Sequence, residues 1–65
     1  MVNNEKMITV QTVNTVSLER LFYTITEAYK WAEMVAINQK AVAVYDDKQV
    51  YRLWLFGKEI KVKGK

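Results

Sequence analysis

Ser17-Leu18-Glu19-Arg20-Leu21-Phe22-Tyr23-Thr24-Ile25-Thr26-Glu27 is the stretch that decides the fold, because it supports two incompatible readings. Leu18, Leu21, Phe22, Ile25, Ala28, Tyr29, Ala32, Val35 and Ala36 fit one stripe of a long helix starting near Ser17. Thr24-Ile25-Thr26-Glu27, however, matches the S/T-x-x-E capping box, in which the threonine oxygen accepts the Glu27 amide and the Glu27 side chain accepts the threonine amide. Tyr23 and Ala28 then occupy the staple positions on either side of the cap. The local chemistry favours a helix that begins at Ile25 and ends near Gln39, about 22 Å long. Asn38 is a tolerable stop, and Lys40 sits where a cation complements the helix dipole. Residues 18–23 are thereby released to form an extended run with Leu21 and Tyr23 on one face.

Upstream, residues 7–13 alternate, with Ile8, Val10 and Thr12 on one side and Met7, Thr9, Gln11 and Val13 on the other. The run is rich in β-branched residues and predicts a strand. Asn14 to Ser17 is polar enough to turn the chain, so this strand and residues 18–23 could form a hairpin. Downstream, Ala41-Val42-Ala43-Val44-Tyr45 is a short apolar strand closed by Asp46-Asp47-Lys48, whose aspartates suit a turn. Residues 49–56 give the strongest strand signal, with Val50, Arg52, Trp54 and Phe56 on one face and Tyr51, Leu53 and Leu55 on the other. Gly57-Lys58 has the glycine-first pattern of a type II′ turn, returning residues 59–63 antiparallel. The order β-β-α-β-β-β predicts an α+β fold: a mostly antiparallel sheet of four or five strands with one helix on one face, forming a single domain over residues 1–65.

Sixty-five residues are close to the lower limit for independent folding, and the 51% hydrophobic content answers that constraint. The chain has neither cysteine nor histidine, so disulfides and the usual zinc ligands cannot contribute the missing stability. A dense aromatic core or self-association must do so. The opening Met1-Val2-Asn3-Asn4-Glu5-Lys6 lacks a basic segment followed by an apolar one, and no run approaches about 20 apolar residues. A cytoplasmic protein with no membrane partner is expected.

The net charge of +3 is local. Within residues 1–57 the basic side chains Lys6, Arg20, Lys30, Lys40, Lys48 and Arg52 are balanced by Glu5, Glu19, Glu27, Glu33, Asp46 and Asp47. The excess lies in Lys58, Lys61, Lys63 and Lys65, set against Glu59 alone. The tail Lys61, Lys63 and Lys65 can attract phosphate or acidic protein surfaces, and it also keeps an apolar domain dissolved.

Without histidine or cysteine there is no imidazole base and no thiolate nucleophile, and the lone serine, Ser17, falls in the first turn. Asp46 and Asp47 read as turn formers, Glu27 as a cap, and Glu33 as a solvent partner of Lys30. Gly57 and Gly64 cannot build a phosphate-cradling loop. The chain is therefore not expected to be an enzyme, and no cofactor or metal is expected.

Phe22-Tyr23-Thr24-Ile25-Thr26-Glu27-Ala28, Trp31-Ala32 and Ala43-Val44-Tyr45-Asp46 together resemble short uncharacterised proteins encoded by phages and prophages of AT-rich bacteria. The eight lysines against two arginines, with four asparagines, are similar to the bias of such genomes. The resemblance covers about half of the chain, and it implies a small accessory protein acting on a host or viral macromolecule.

One helix cannot cover both apolar faces of the residue 49–56 strand, and a large exposed apolar patch marks a binding surface. The leading expectation is a non-catalytic protein-binding or assembly module, a homodimer that also meets another protein through its uncovered sheet face or an edge strand. Arg52, Trp54, Phe56 and Lys58, at alternate positions, form the candidate interaction surface. The same alternation of charge and aromatic rings suits a second reading, a small basic protein binding single-stranded nucleic acid.

Overall fold

The computed structural model describes residues 7–62. Strand β1 spans Ile8–Val13 and β2 spans Ser17–Phe22; helix α1 spans Ile25–Val35 and runs into a 3-10 turn over Ala36–Asn38. Strands β3 (Ala41–Tyr45), β4 (Val50–Leu55) and β5 (Lys58–Ile60) follow. The five strands form one sheet in the order β2-β1-β3-β4-β5, and every neighbouring pair is antiparallel. Strands β2 and β3 both run against β1, so they are parallel to each other, and joining them demands a crossover, which α1 supplies. The result is the α+β fold with one helix on one face that the sequence predicts.

The choice between cap and long stripe is settled at Thr24. Its backbone is extended (φ −124°, ψ 150°), and its Oγ1 accepts the Glu27 amide at 3.3 Å. The chain before it pairs with β1, with Ile8 opposite Phe22 and Thr12 opposite Leu18. Tyr23 remains 69% exposed, so the expected staple onto Ala28 is not what seats the helix. Replacing Thr24 with alanine is expected to cost about 1 kcal/mol in urea denaturation, because one orphan amide of the first turn loses its acceptor.

The helix packs close to the sheet because Ala28, Ala32 and Ala36, one turn apart, present almost no side chain to it. They are buried with Val10, Val42 and Val44, while Ile8 and Trp54 complete the core. The α-helix ends at Val35, short of the Gln39 expected. With no glycine to take a left-handed terminal position, the last turn tightens, and the Gln39 amide donates to the Ala36 carbonyl at 3.4 Å. Lys40 then donates its amide to Val13 O at 2.8 Å and enters the sheet.

Two details of the second half differ from the sequence reading. The β4–β5 turn is centred on Phe56-Gly57 rather than Gly57-Lys58. Leu55 pairs with Lys58, and both loop residues have positive φ (51° and 82°), the signature of a type I′ turn. Strand β5 is correspondingly only Lys58–Ile60. The register also shifts at Val44/Tyr45: Tyr45 faces Val50 while Val44 faces Arg52. This bulge adds one residue to β4, so Tyr51 packs against the core instead of sharing a face with Leu53 and Leu55. Asp46 forms the preceding turn as expected, its Oδ1 accepting the amides of Lys48 (2.8 Å) and Gln49 (3.1 Å) and its Oδ2 the Tyr51 hydroxyl.

Candidate interaction surfaces

The structure does not bring Arg52, Trp54, Phe56 and Lys58 together as one open surface. Trp54 lies opposite Val42 on the helix-covered face and is 5% exposed. Arg52, one rung away on that face, is fully engaged: Nη1 reaches Glu33 at 2.7 Å, and Nη2 and Nε clamp the Glu59 carboxylate at 2.7 and 2.9 Å. Its guanidinium carbon also lies 4.8 Å from the Tyr29 ring centroid and 4.7 Å from that of Trp54. Glu33 therefore partners Arg52, not Lys30 as its helical spacing suggests. The hydrogen bonds from Arg52 hold the Glu59 carboxyl below the usual carboxylate range, against a smaller opposing effect of burial. Glu59 in turn pushes the guanidinium pKa further up. Phe56 departs from the alternation because it sits in the turn, and Lys58 starts the next strand.

The face left open is the opposite one. Its strand registers form three rungs: Ser17, Val13, Ala41, Leu55 and Lys58; then Glu19, Gln11, Ala43, Leu53 and Ile60; then Leu21, Thr9, Tyr45 and Val50. The rungs are chemically divided. Over β1 and β2, the Tyr45 hydroxyl donates to Gln11 Oε1 at 3.3 Å and Gln11 Nε2 donates to Ser17 Oγ at 2.8 Å, a polar chain beside Glu19. Burial is the first cause, and Glu19 the second, of the raised Tyr45 pKa. Over β3, β4 and β5 the first two rungs are mainly apolar: Leu53 and Leu55 stand between Ala41 and Ala43 on one side and Ile60 on the other, with Leu55 and Ile60 exposed and Lys58 at the edge.

Comparison with family models, curated proteins and solved structures finds no match to this chain.

A second surface lies at the other edge of the sheet, where a cleft of about 620 Å³ separates β2 from α1 and is walled by Phe22, Trp31 and Met34. Arg20 stacks there on Phe22 (5.4 Å) and Trp31 (5.1 Å), whose rings are 5.8 Å apart. Among the described residues no strand pairs with the outer edge of β2, but Glu19 and Arg20 stand at its middle, and charges in an edge strand discourage a further strand from adding. Of the basic tail, Lys61 is exposed, while Lys63 and Lys65 lie outside the described residues. Among the described residues no three His, Cys, Asp or Glu side chains cluster as metal ligands, and no helix is long and apolar enough to cross a membrane.

From the sequence either face of residues 49–56 could be the uncovered one, and the choice of the Trp54 and Phe56 side is overturned by the burial of Trp54. The signal for the open face was nonetheless present in Val13, Ala41, Ala43 and Ile60, each at the alternate position to a core or turn residue. The Glu33–Arg52–Glu59 cluster joins residues from α1, β4 and β5, and no local spacing encodes it.

Proposed function

We propose that this protein is a non-catalytic protein-binding module that self-associates through the open sheet face, apolar half against apolar half. The supporting observation is the distribution of cover: α1 shields the Trp54 side, and among the described residues no element packs over Leu53, Leu55 and Ile60 on the other side. Full burial of a large aliphatic side chain is worth roughly 1.5 to 3 kcal/mol, and with Leu55 41% and Ile60 37% exposed and Leu53 half-buried, a fraction of that remains to be gained at each position. A two-fold contact of the patch with itself recovers that fraction. The polar chain of Tyr45, Gln11 and Ser17 then lies at the rim, where water can reach it.

Leu53→Asp places a charge at the centre of the patch without touching the core, and it is expected to abolish the dimer at concentrations where the wild type is dimeric, as read by light scattering. Removing residues 61–65 should leave the association constant unchanged while lowering solubility, since the apolar side chains of the patch all precede residue 61. A Leu53→Asp protein that still dimerises would move the contact elsewhere. Taken with the resemblance to short phage and prophage proteins, the module's further partner is a host or viral protein. Affinity capture that recovers the same protein with and without nuclease would support this assignment, and recovery that vanishes with nuclease would favour the nucleic-acid reading.

A further inference from the structure

Three loops meet at one end of the sheet, and each holds an exposed apolar side chain. Val16, in the β1–β2 loop, is 63% exposed; Ile37, in the 3-10 turn, and Phe56, in the β4–β5 turn, are both 79% exposed. The loops are tied together by backbone. Lys40 donates to Val13 O and Phe56 donates to Lys40 O, both at 2.8 Å, and Asn14 Nδ2 reaches Asn38 O at 3.4 Å. A β-carbon on Gly57 would lie 3.8 Å from Ala36 O and 3.9 Å from Ile37 O, so the turn sits directly against the end of the helix.

Phe56 is the anomaly in this group. It holds φ at 51°, a left-handed conformation that costs roughly 1 kcal/mol or more for a residue with a β-carbon, at a position where type I′ turns favour asparagine. The ring is almost wholly in solvent, so the fold gains little packing from it. Strain retained without a return in packing points to a contact outside the chain. The surrounding charge has one sign: residues 13–18, 36–41 and 55–58 contain Lys40 and Lys58 and no acidic residue. The acidic pair Asp46 and Asp47 lies in the turn at the opposite end of β3 and β4.

We propose that this end of the molecule docks onto an anionic phospholipid surface, with Phe56, Ile37 and Val16 entering the interface and Lys40 and Lys58 against the headgroups. This departs from the expectation of no membrane partner, which rests on the lack of a spanning segment, and a peripheral contact requires none. Stacking on nucleic acid would use only Phe56, because Val16 and Ile37 offer no π-face, whereas the acyl boundary accommodates all three. Two lysines and three small wedges give weak, reversible, salt-sensitive binding.

The test is co-sedimentation of the full chain with phosphatidylserine–phosphatidylcholine vesicles and with phosphatidylcholine vesicles, at low and high salt. The wild type is expected to bind the anionic vesicles at low salt and to leave the neutral ones. Phe56→Asn should lower that binding about tenfold or more, while raising the thermal midpoint because it relaxes the left-handed strain. Lys58→Gln should lower it about fivefold. Leu53→Asp should retain vesicle binding by the monomer, which separates this proposal from the sheet-face dimer. Absence of wild-type binding to anionic vesicles at low salt would overturn the proposal, as would binding unaffected by Phe56→Asn. Phe56-dependent binding to a single-stranded oligonucleotide that displaces the vesicles would reassign the surface to nucleic acid.

Discussion

Trp54→Ala is expected to lower the unfolding free energy by about 3–5 kcal/mol, the range for truncating a buried large aromatic residue. A domain of this length has only roughly 3–10 kcal/mol in total. The loss is so large because Trp54 bridges layers: it lies opposite Val42 in the sheet, joins the buried cluster beneath Ala28, Ala32 and Ala36, and forms one side of the Arg52 stack. The alanines have little side chain with which to fill the space, being already buried in one cluster with Val10, Val42 and Val44. Circular dichroism under urea is expected to show a much lower midpoint, or a chain unfolded without denaturant. A loss below about 1 kcal/mol would be the cost of a surface site, and would mean that Trp54 is not in the core.

Arg52→Met is the second large effect, expected at about 2–3 kcal/mol. The substitution keeps an unbranched stem but removes charge-assisted hydrogen bonds to two carboxylates and two cation–π contacts. It also leaves Glu33 and Glu59 facing each other without the cation between them. Both carboxylates are about half exposed, which screens their repulsion and keeps the cost below that of a buried pair. The pH dependence supplies a separate signature. Glu59 is held below its ordinary pKa, so the stability it contributes is present above the unfolded-state value, about 4.3, and is lost as pH falls through the depressed folded value. Denaturant midpoints measured across the acid range should fall more steeply for the wild type than for Arg52→Met. Parallel acid limbs would remove the Arg52–Glu59 bond from the account.

The parts of this fold that were legible from sequence are those decided locally. The threonine cap fixed the start of α1 against a competing stripe of apolar residues, and the alternation of residues 7–13 grouped Ile8, Val10 and Thr12 on one side of β1, the side that is buried. Asp46 announced its turn by the amides it could accept. The parts that were hidden depend on distant partners. The bulge that turns Tyr51 toward the core arises from how β4 registers on β3, and no feature of residues 49–56 alone distinguishes it from a continuous strand. The placement of Phe56 in the turn follows from Gly57 taking the second central position, whereas the glycine-first pattern of a type II′ turn fits the same residues. Arg52 beside aromatic residues is ambiguous in sequence, because a guanidinium over a ring serves a core as readily as a ligand. Only the arrival of Glu33 and Glu59 from other elements shows that its charge is satisfied within the chain.

The face opposite α1 inherits its role from these outcomes. Once Trp54 and Arg52 are assigned to the helix side, Leu53 and Leu55 must lie on the other, and Ala41, Ala43 and Ile60 join them through strand pairing alone. A second copy is expected to cover this patch. Sedimentation equilibrium of the wild-type protein tests it most directly. A dimer of the 7.6 kDa chain is expected at micromolar concentration, and a monomer persisting to high micromolar concentration would rule out self-association through this face.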